Sequence, residues 1–321
     1  MRPFNYLVAE NLEAALAQYG EGGSTLKAGG IDLLDRMKEG ITAPATVLSI
    51  DAIKDLAYIR EDGGAIRIGC LTTLADIGRS ELLAKRAAAL HHAAGGAATP
   101  QVRERATIGG NLCQRPNCWY FRHMEFECLK KGGHTCFAPG GENQYHAVIG
   151  GGPCFIVHPS NTAPALVAMN AEFKVRNAKG ERTIPAADFF VLPKENLQKE
   201  NVLEAGEILT EVVIPKPPQQ SAVIELREKQ SFDWPMSIAA VARIDGKWNV
   251  CLGASAPKPW VSQPANAVLG SQDVTEALAQ KAGEAAAGEV APLEDNAYKA
   301  QLIKVAVKRA LMRAAGLEMP S

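Results

Sequence analysis

Five of the seven cysteines in this 321-residue chain fall within one short segment, Cys113–Cys154. We call residues 113–154 the cysteine loop. From Cys113 to about Gly152 the sequence shows no sustained helical or strand period and contains several glycine clusters. This pattern predicts a long ordered loop, and a loop of this length in a folded chain usually carries function. The regular structure must therefore form before and after it.

The spacing of the cysteines distinguishes between kinds of metal site. Cys118, Cys128, Cys136 and Cys154 are separated by 9, 7 and 17 intervening residues. Zinc sites normally use close Cys-x2–4-Cys pairs, and the chain has one such spacing, between Cys113 and Cys118, without a second to match it. Widely spread thiolates are more typical of a bulky iron–sulfur cluster. A [4Fe–4S] cluster is the favoured interpretation; zinc, disulfides and unreactive thiols are the alternatives.

Charge and composition exclude several classes of function. The chain has 34 basic and 35 acidic residues, so its charge gives no reason to expect nucleic-acid or membrane binding. The start, Met1–Tyr6, lacks the charged and apolar regions of a signal peptide, and the apolar runs are too short to cross a bilayer. An odd cysteine count favours a reducing compartment. We expect a cytoplasmic protein, or a periplasmic one if it is exported on a partner's signal.

Hydrophobic patterning predicts an α+β protein whose pattern of secondary structure changes near residues 175–185. In the front half, short strands alternate with amphipathic helices, as in the strand Thr25–Ala28 followed by the helix Asp32–Lys38. C-terminal to this boundary, three strand candidates joined by short turns precede an alanine-rich helical stretch, Asp273–Leu317. The back half is therefore expected to be an antiparallel sheet with helices.

Two glycine turns indicate phosphate binding. Lys27–Leu33 contains Gly29-Gly30 between a strand and a helix, and Thr107–Leu112 contains Gly109-Gly110. Glycine lets the backbone approach a phosphate without a Cβ clash, and a helix start presents unpaired N–H groups. Neither turn is Gly-x-Gly-x-x-Gly, so a Rossmann interpretation is not supported. Together the two turns could clamp a pyrophosphate.

The remaining polar and aromatic motifs have structural alternatives. The segment His158–Asn161 precedes a predicted helix, so Ser160 or Asn161 is interpreted first as a plain N-cap. The histidines of the cysteine loop are interpreted as hydrogen-bonding neighbours of the cysteines. Trp119–Phe121 either shield a metal centre or pack against a partner. No triad, HExxH or paired-carboxylate pattern suggests a hydrolase.

Together, these motifs resemble the flavin-binding (medium) subunits of the molybdenum hydroxylases, the xanthine dehydrogenase and aldehyde oxidoreductase family. The resemblance covers essentially the whole chain and rests on residues 3–6, 27–34, 106–112, 206–209, 227–229, 233–235 and 254–257. It implies a two-subdomain FAD-binding α+β fold, with residues 1–55 and 56–178 as the subdomains. Residues 179–321 would form a C-terminal antiparallel sheet-and-helix domain.

The resemblance also implies which residues hold FAD. The implied contacts are Lys27, Ala28, Gly29, Gly30, Ile31, Asp32, Leu33, Leu34, Thr107, Gly109, Gly110, Asn111, Asn161, Ile208, Leu209 and Lys229. The family usually has Ser-Asp where this chain has Ser160-Asn161. A dipole thus replaces a charge near the flavin, which affects redox tuning more than binding.

A subset of the family carries an extra [4Fe–4S] cluster in a segment like the cysteine loop. It comprises the flavin subunits of periplasmic-type aldehyde oxidoreductases and of 4-hydroxybenzoyl-CoA reductase, and Asn111–Arg122 is more similar to the former. On that pattern the ligands are Cys118, Cys128, Cys136 and Cys154. Cys113 stands where the family often has leucine.

The function implied by the resemblance is electron transfer in a heterotrimer. A molybdenum-cofactor large subunit would oxidise the substrate, with an aldehyde favoured, and a [2Fe–2S] small subunit would pass electrons to FAD and an external acceptor. This chain would supply no catalytic residue of its own. One alternative is the flavin subunit of a CoA-thioester ring reductase, with electrons running inward. The other is a zinc-stabilised structural subunit without flavin.

Overall fold

The computed structural model describes residues 1–20 and 22–318. Its strands are β1 (Asn5–Val8), β2 (Ser24–Lys27), β3 (Thr46–Ser49), β4 (Ile59–Asp62), β5 (Ala65–Gly69), β6 (Glu172–Asn177), β7 (Gly180–Pro185), β8 (Ile208–Ile214), β9 (Gln220–Leu226), β10 (Ser237–Ile244), β11 (Lys247–Gly253) and β12 (Trp260–Val261). Its helices are α1 (Leu12–Gly20), α2 (Ile31–Lys38), α3 (Leu74–Arg79), α4 (Glu81–Arg86), α5 (Ala88–Gly95), α6 (Pro100–Arg103), α7 (Ile108–Leu112), α8 (Trp119–Arg122), α9 (Ala163–Ala168), α10 (Ala186–Phe189), α11 (Gln263–Leu269), α12 (Glu276–Ala287) and α13 (Lys299–Ala314). Two 3-10 turns, Lys54–Leu56 and Leu129–Lys131, complete the regular structure of these residues.

A small parallel sheet forms the N-terminal layer, in the order β1-β3-β2. Both outer strands pair in parallel with β3, so the helices α1 and α2 serve as the crossovers that parallel pairing needs. Val47 and Leu48 on β3 are fully buried on opposite faces. Val47 packs with Leu33 and Met37 of α2, which fixes this helix against the sheet.

The second sheet is antiparallel, in the order β4-β5-β8-β6-β7, with β8 at its centre. Every residue of β8 is buried, including Glu211, whose carboxylate accepts hydrogen bonds from Arg67 Nη1 (2.7 Å) and the Tyr58 hydroxyl (2.6 Å). These partners satisfy a carboxylate that burial would otherwise disfavour. The β6–β7 hairpin and β8 continue this sheet across residues 178/179, where the sequence predicted a domain boundary. That boundary stays a prediction.

The C-terminal sheet has the order β12-β11-β10-β9, and the helices α11, α12 and α13 pack together with this sheet. Its core contains Trp248, Ile303 and Val307, all buried. The helices α12 and α13 lie so close that an added Cβ at Gly283 would overlap the Lys304 carbonyl oxygen. Alanine and glycine on the inner face of α12 make this approach possible. The expected antiparallel sheet with an alanine-rich helical end is confirmed.

In the sequence, the cysteine loop lies between β5 and β6 of the second sheet, and it contains little regular structure. Within Cys113–Gly152 it has one helical turn, α8, and one 3-10 turn, Leu129–Lys131. The prediction of a long ordered loop is therefore confirmed. No helix among residues 1–20 and 22–318 combines the length and apolar character that a membrane span requires.

Candidate functional site

A cavity of about 530 Å³ opens between the two glycine turns. We call it the large cavity. Its walls include four main segments: the end of β2 with the start of α2, the segment 97–99, the second glycine turn, and the segment 232–235. Its size and largely apolar lining are those of a cofactor or small-molecule site.

The first glycine turn brings the backbone of two segments into contact. β2 ends at Lys27, and Gly30 adopts φ +83° before α2 begins, a conformation that glycine reaches without strain. An added Cβ at Gly29 would overlap the carbonyl oxygen of Arg105, which precedes the second turn. Glycine is thus required at position 29 because the two halves of the cavity wall touch there.

The second glycine turn is fixed by side-chain hydrogen bonds. Thr107 Oγ1 accepts from Gly110 N at 3.1 Å and caps the short helix α7. Asn111 Oδ1 accepts from the hydroxyls of Ser160 (2.6 Å) and Thr162 (2.7 Å), all buried. The Asn111 side chain therefore joins the second turn to the segment that carries Asn161. The N-cap interpretation of Ser160 or Asn161 is wrong, because the N-cap of α9 is Thr162, although Ser160 Oγ accepts from Ala163 N at 3.0 Å.

Two cations converge on one carboxylate beside the turns. The buried ammonium of Lys27 lies 2.9 Å from Asp51 Oδ2, and Arg105 Nη2 lies 3.1 Å from the same atom. Partial burial opposes ionisation of Asp51, but hydrogen bonds from Ser49 and Lys27 outweigh it and hold its pKa below the ordinary value. The Asp51 carboxylate therefore links Lys27, at the end of the strand before the first turn, to Arg105, which precedes the second turn.

Most of the FAD contacts predicted from the sequence meet at the large cavity. Those that line it are Lys27, Ala28, Gly29, Gly30, Ile31, Asp32, Leu33, Thr107, Gly109, Gly110, Asn111, Asn161 and Leu209. The other three do not: Leu34 packs behind Gly30, Ile208 is buried in the core, and Lys229 is exposed. A contact of these three with FAD stays a prediction.

Several lining residues were not foreseen. They include Tyr19, Arg36, Cys70, Leu71, Glu207 and the segments 97–99 and 232–235. A signal existed for three of these. Thr99-Pro100 is a helix start, where Thr99 Oγ1 accepts from Val102 N at 3.3 Å, and Glu207 and Asp233-Trp-Pro235 belong to resemblance motifs. The others come from distant parts of the sequence, and no local pattern marks them.

A second, much smaller cavity collects the four predicted cluster ligands. Cys118, Cys128, Cys136 and Cys154 all line this space of about 10 Å³, which we call the cysteine cavity. Cys113 lies instead in the wall of the large cavity. Within residues 1–20 and 22–318, no three His, Cys, Asp or Glu side chains are arranged to hold a metal ion.

The thiols in the cysteine cavity differ electrostatically. The Cys154 thiol donates a hydrogen bond to Cys136, which lowers the pKa of Cys136 and raises that of Cys154. Burial raises the pKa of the Cys118 thiol to about 11. Cys118 Sγ lies 3.3 Å from His146 Nε2, so this histidine is a hydrogen-bonding neighbour of a cysteine. A metal or cluster would have to displace these thiol protons.

Aromatic rings cover the cysteine cavity. Tyr120, Phe121 and Phe137 line it, and Phe121 is buried. Phe126 stands edge-on to Tyr120 and Phe137, with ring centroids 5.0 and 5.2 Å apart. This arrangement supports shielding as the role of Tyr120 and Phe121, one of the two alternatives for that motif.

A buried ion-pair group holds the cysteine loop to the segment after α10. Glu200 is 4% exposed and lies 2.7 Å from Lys130 Nζ and 2.6 Å from Arg115 Nε. Lys130 also lines the cysteine cavity and donates to the Leu197 carbonyl at 3.1 Å. Removing one partner of such a group leaves an uncompensated buried charge.

Another arginine ties the cysteine loop to α2. Arg122 Nη2 lies 2.5 Å from Asp32 Oδ1. Arg122 Nη1 lies 3.3 Å from Asp35 Oδ2 and 3.6 Å from Glu39 Oε2. Arg115 N donates to Asp32 Oδ2 at 3.2 Å. Asp32, predicted as an FAD contact, therefore lines the large cavity while its carboxylate faces the loop's donors.

The family follows from these features and from comparison with known proteins. Residues 2–217 match the family described as the FAD binding domain in molybdopterin dehydrogenase, and residues 235–314 match the CO dehydrogenase flavoprotein C-terminal domain. The chain belongs to this family and is an FAD-binding subunit of a molybdenum-dependent oxidoreductase.

Individual relatives span nearly the whole chain. The aldehyde oxidoreductase FAD-binding subunit PaoB of Escherichia coli (strain K12) is 32% identical over 95% of this chain and 96% of its own length. The carbon monoxide dehydrogenase medium chain of Hydrogenophaga pseudoflava is 28% identical over 96% of each. A solved structure of the Hydrogenophaga pseudoflava enzyme, lacking the Mo-pyranopterin moiety, superimposes with a TM-score of 0.75 at 27% identity, covering 98% of both chains. The predicted α+β fold is thus confirmed.

Proposed function

We propose that this chain carries FAD and one [4Fe–4S] cluster and transfers electrons within a heterotrimeric molybdenum enzyme that oxidises an aldehyde. One observation supports the pairing of cofactors most directly. The two glycine turns border one cavity, while Cys118, Cys128, Cys136 and Cys154 border another. The aldehyde follows from the similarity to the aldehyde oxidoreductase subunit of Escherichia coli.

The large cavity fits FAD in chemistry as well as size. At positions 29, 30, 109 and 110 the lining is glycine backbone, which a pyrophosphate can approach closely. Lys27 and Arg36 are the cations of the same lining, and they are paired with Asp51 and Asp32. FAD, when bound, supplies one- and two-electron transfer, and the residues of this chain bind and orient it.

The cysteine cavity fits a cluster in its donor set. A [4Fe–4S] cluster takes one thiolate for each iron, and four of the five loop cysteines share this cavity. Cys113 lies apart, in the wall of the large cavity, which favours the assignment that leaves it out. When bound, the cluster supplies one-electron transfer. Tyr120 and Phe137 limit the access of water, and Lys130 places a positive charge beside the thiolates.

The partners carry out the remaining steps of the proposed reaction. A subunit with the molybdenum cofactor oxidises the aldehyde, a [2Fe–2S] subunit relays the electrons, and FAD on this chain delivers them to an external acceptor. The names of the relatives, FAD-binding subunit and medium chain, support such a division between chains.

A serine scan of the loop cysteines tests the cluster. In Cys113→Ser, iron content and the low-temperature EPR signal of the reduced protein should be unchanged, because this thiol lies outside the cysteine cavity. Cys128→Ser should lose the signal and most of the iron. A colourless wild-type protein containing zinc would refute the cluster altogether. A normal Cys128→Ser protein beside an iron-free Cys113→Ser protein would refute the ligand assignment.

A further inference from the structure

A buried carboxylate stands directly behind one residue of the large cavity. Glu225 on β9 has a side chain 7% exposed, and its Oε1 accepts a hydrogen bond from Asn161 Nδ2 at 2.6 Å. Asn161 lines the cavity, whereas Glu225 stays outside its lining. The carboxylate therefore acts on the cavity through the amide.

The hydrogen bond fixes which end of the amide faces Glu225. An ionised carboxylate can only accept hydrogen bonds, so the amide nitrogen of Asn161 must be the group turned toward it. The amide oxygen is left over, and it accepts no hydrogen bond from any residue that the structure describes. Asn161 thus offers an acceptor to a ligand that carries an N–H or hydroxyl group.

Arg227 holds Glu225 and joins it to two other walls of the cavity. Its guanidinium pairs with the Glu225 carboxylate and donates to the carbonyls of Gly96 (2.9 Å) and Asp233 (3.1 Å). Gly96 precedes the lining segment 97–99, and Asp233 belongs to the lining segment 232–235. Burial raises the pKa of Glu225, while Arg227 and Asn161 oppose that shift by favouring the carboxylate.

We propose that Glu225 is a positioning residue of the flavin site: it turns the Asn161 oxygen toward the flavin and supplies, one hydrogen bond away, a negative charge that Asn161 lacks. This inference rests on the proposed binding of FAD in the large cavity. Glu225 balances the positive charge of Arg227 behind the cavity. Without this carboxylate the unpaired guanidinium would favour the added electrons of the reduced flavin, so Glu225 keeps the reduction potential low.

An exchange of the two groups tests the proposal. Asn161→Asp places a second carboxylate against Glu225 and should weaken FAD binding about tenfold or more, because like charges in a buried pair repel. Adding Glu225→Gln restores one carboxylate and one amide with their places reversed, so the double variant should recover most of the affinity. FAD dissociation constants from flavin fluorescence measure both effects.

The flavin potential gives a readout that mere loss of packing would not reproduce. Glu225→Gln keeps the shape of the side chain and should raise the potential in a spectrophotometric redox titration. The double variant should return it to the wild-type value or below. The matched control is Glu228→Gln, which removes one exposed charge from the adjoining segment and should change neither affinity nor potential.

The outcomes separate this inference from the proposed function. A wild-type protein without FAD would refute the function on which it rests. If the wild type binds FAD but the effects of Asn161→Asp and Glu225→Gln are additive, Glu225 is not coupled to Asn161. An unchanged potential in a folded Glu225→Gln protein would likewise overturn the proposal.

Discussion

The large cavity and the cysteine cavity are held by different kinds of contact. The first includes a close backbone contact, Gly29 against the Arg105 carbonyl, in addition to the side-chain bonds of Thr107 and Asp51. Side chains close the second: Glu200 binds two cations, and aromatic rings cover the thiols. A backbone contact therefore contributes to the large cavity, whereas the cysteine cavity depends on charge pairs, on aromatic rings and on what its thiols bind.

The largest effect that tests this comparison is expected at Glu200. Glu200→Ala leaves Lys130 and Arg115 without their shared carboxylate and should lower the free energy of unfolding by about 3 to 5 kcal/mol. Urea unfolding measures it, with the exposed Glu204→Ala as control. Limited proteolysis should cut the cysteine loop first. Equal stability of the two variants would show that the ion pairs do not hold the loop.

A smaller loss is expected when the backbone contact of the large cavity is disturbed. Gly29→Ala forces the first turn away from Arg105 and should cost about 2 to 3 kcal/mol together with FAD binding. At Gly110 an added Cβ meets only Thr107 Oγ1, at 3.1 Å. Gly110→Ala should thus change stability by less than about 1 kcal/mol. Similar unfolding curves for the two variants would contradict closure by backbone contact at position 29.

The smallest effect concerns pH. Glu207 lines the large cavity, and hydrogen bonds from Arg182 (2.7 and 2.8 Å) lower its pKa below the ordinary 4.5. The folded carboxyl then binds a proton less readily than the unfolded one. The pair therefore stabilises the fold above pH 4.5, and this stability is lost as pH falls through the lowered pKa.

Arg182→Met should remove this contribution, about 1 kcal/mol or less, because the arginine is partly exposed. Stability measured at pH 7 should fall, while stability measured well below pH 4 should change little. A variant that loses equal stability at both pH values would show that Arg182 acts through packing rather than charge.

Local patterns predicted the parts of the site that local chemistry determines. A strand, two glycines and a helix start predicted the first glycine turn, and the family resemblance implied which four cysteines share a cavity. Strand alternation places the neighbours Ile208 and Leu209 on opposite faces of β8. Of these two, Leu209 lines the large cavity.

Contacts between distant segments could not be predicted in this way. Glu225, on a strand of the C-terminal sheet, meets Asn161 in the segment before α9. Glu200, which follows β7 in the sequence, meets Lys130 and Arg115 of the cysteine loop. The insertion of β8 between β5 and β6 is of the same kind. A carboxylate in a sequence pattern gives no sign of which cation or amide it will meet once the chain has folded.

The pairing of Arg122 with α2 has a consequence for how such a chain can be altered. Asp32, Asp35 and Glu39 lie along one side of the helix, and all three carboxylates reach this one guanidinium. Deleting the cysteine loop would leave Asp32 with Arg36 alone, and it would leave Asp35 and Glu39, four residues apart on the helix, to repel one another without this guanidinium. An engineer who transplants the loop into another scaffold would have to transplant the acidic face of the helix as well. The loop and α2 are therefore coupled by charge, although the sequence separates them by more than seventy residues.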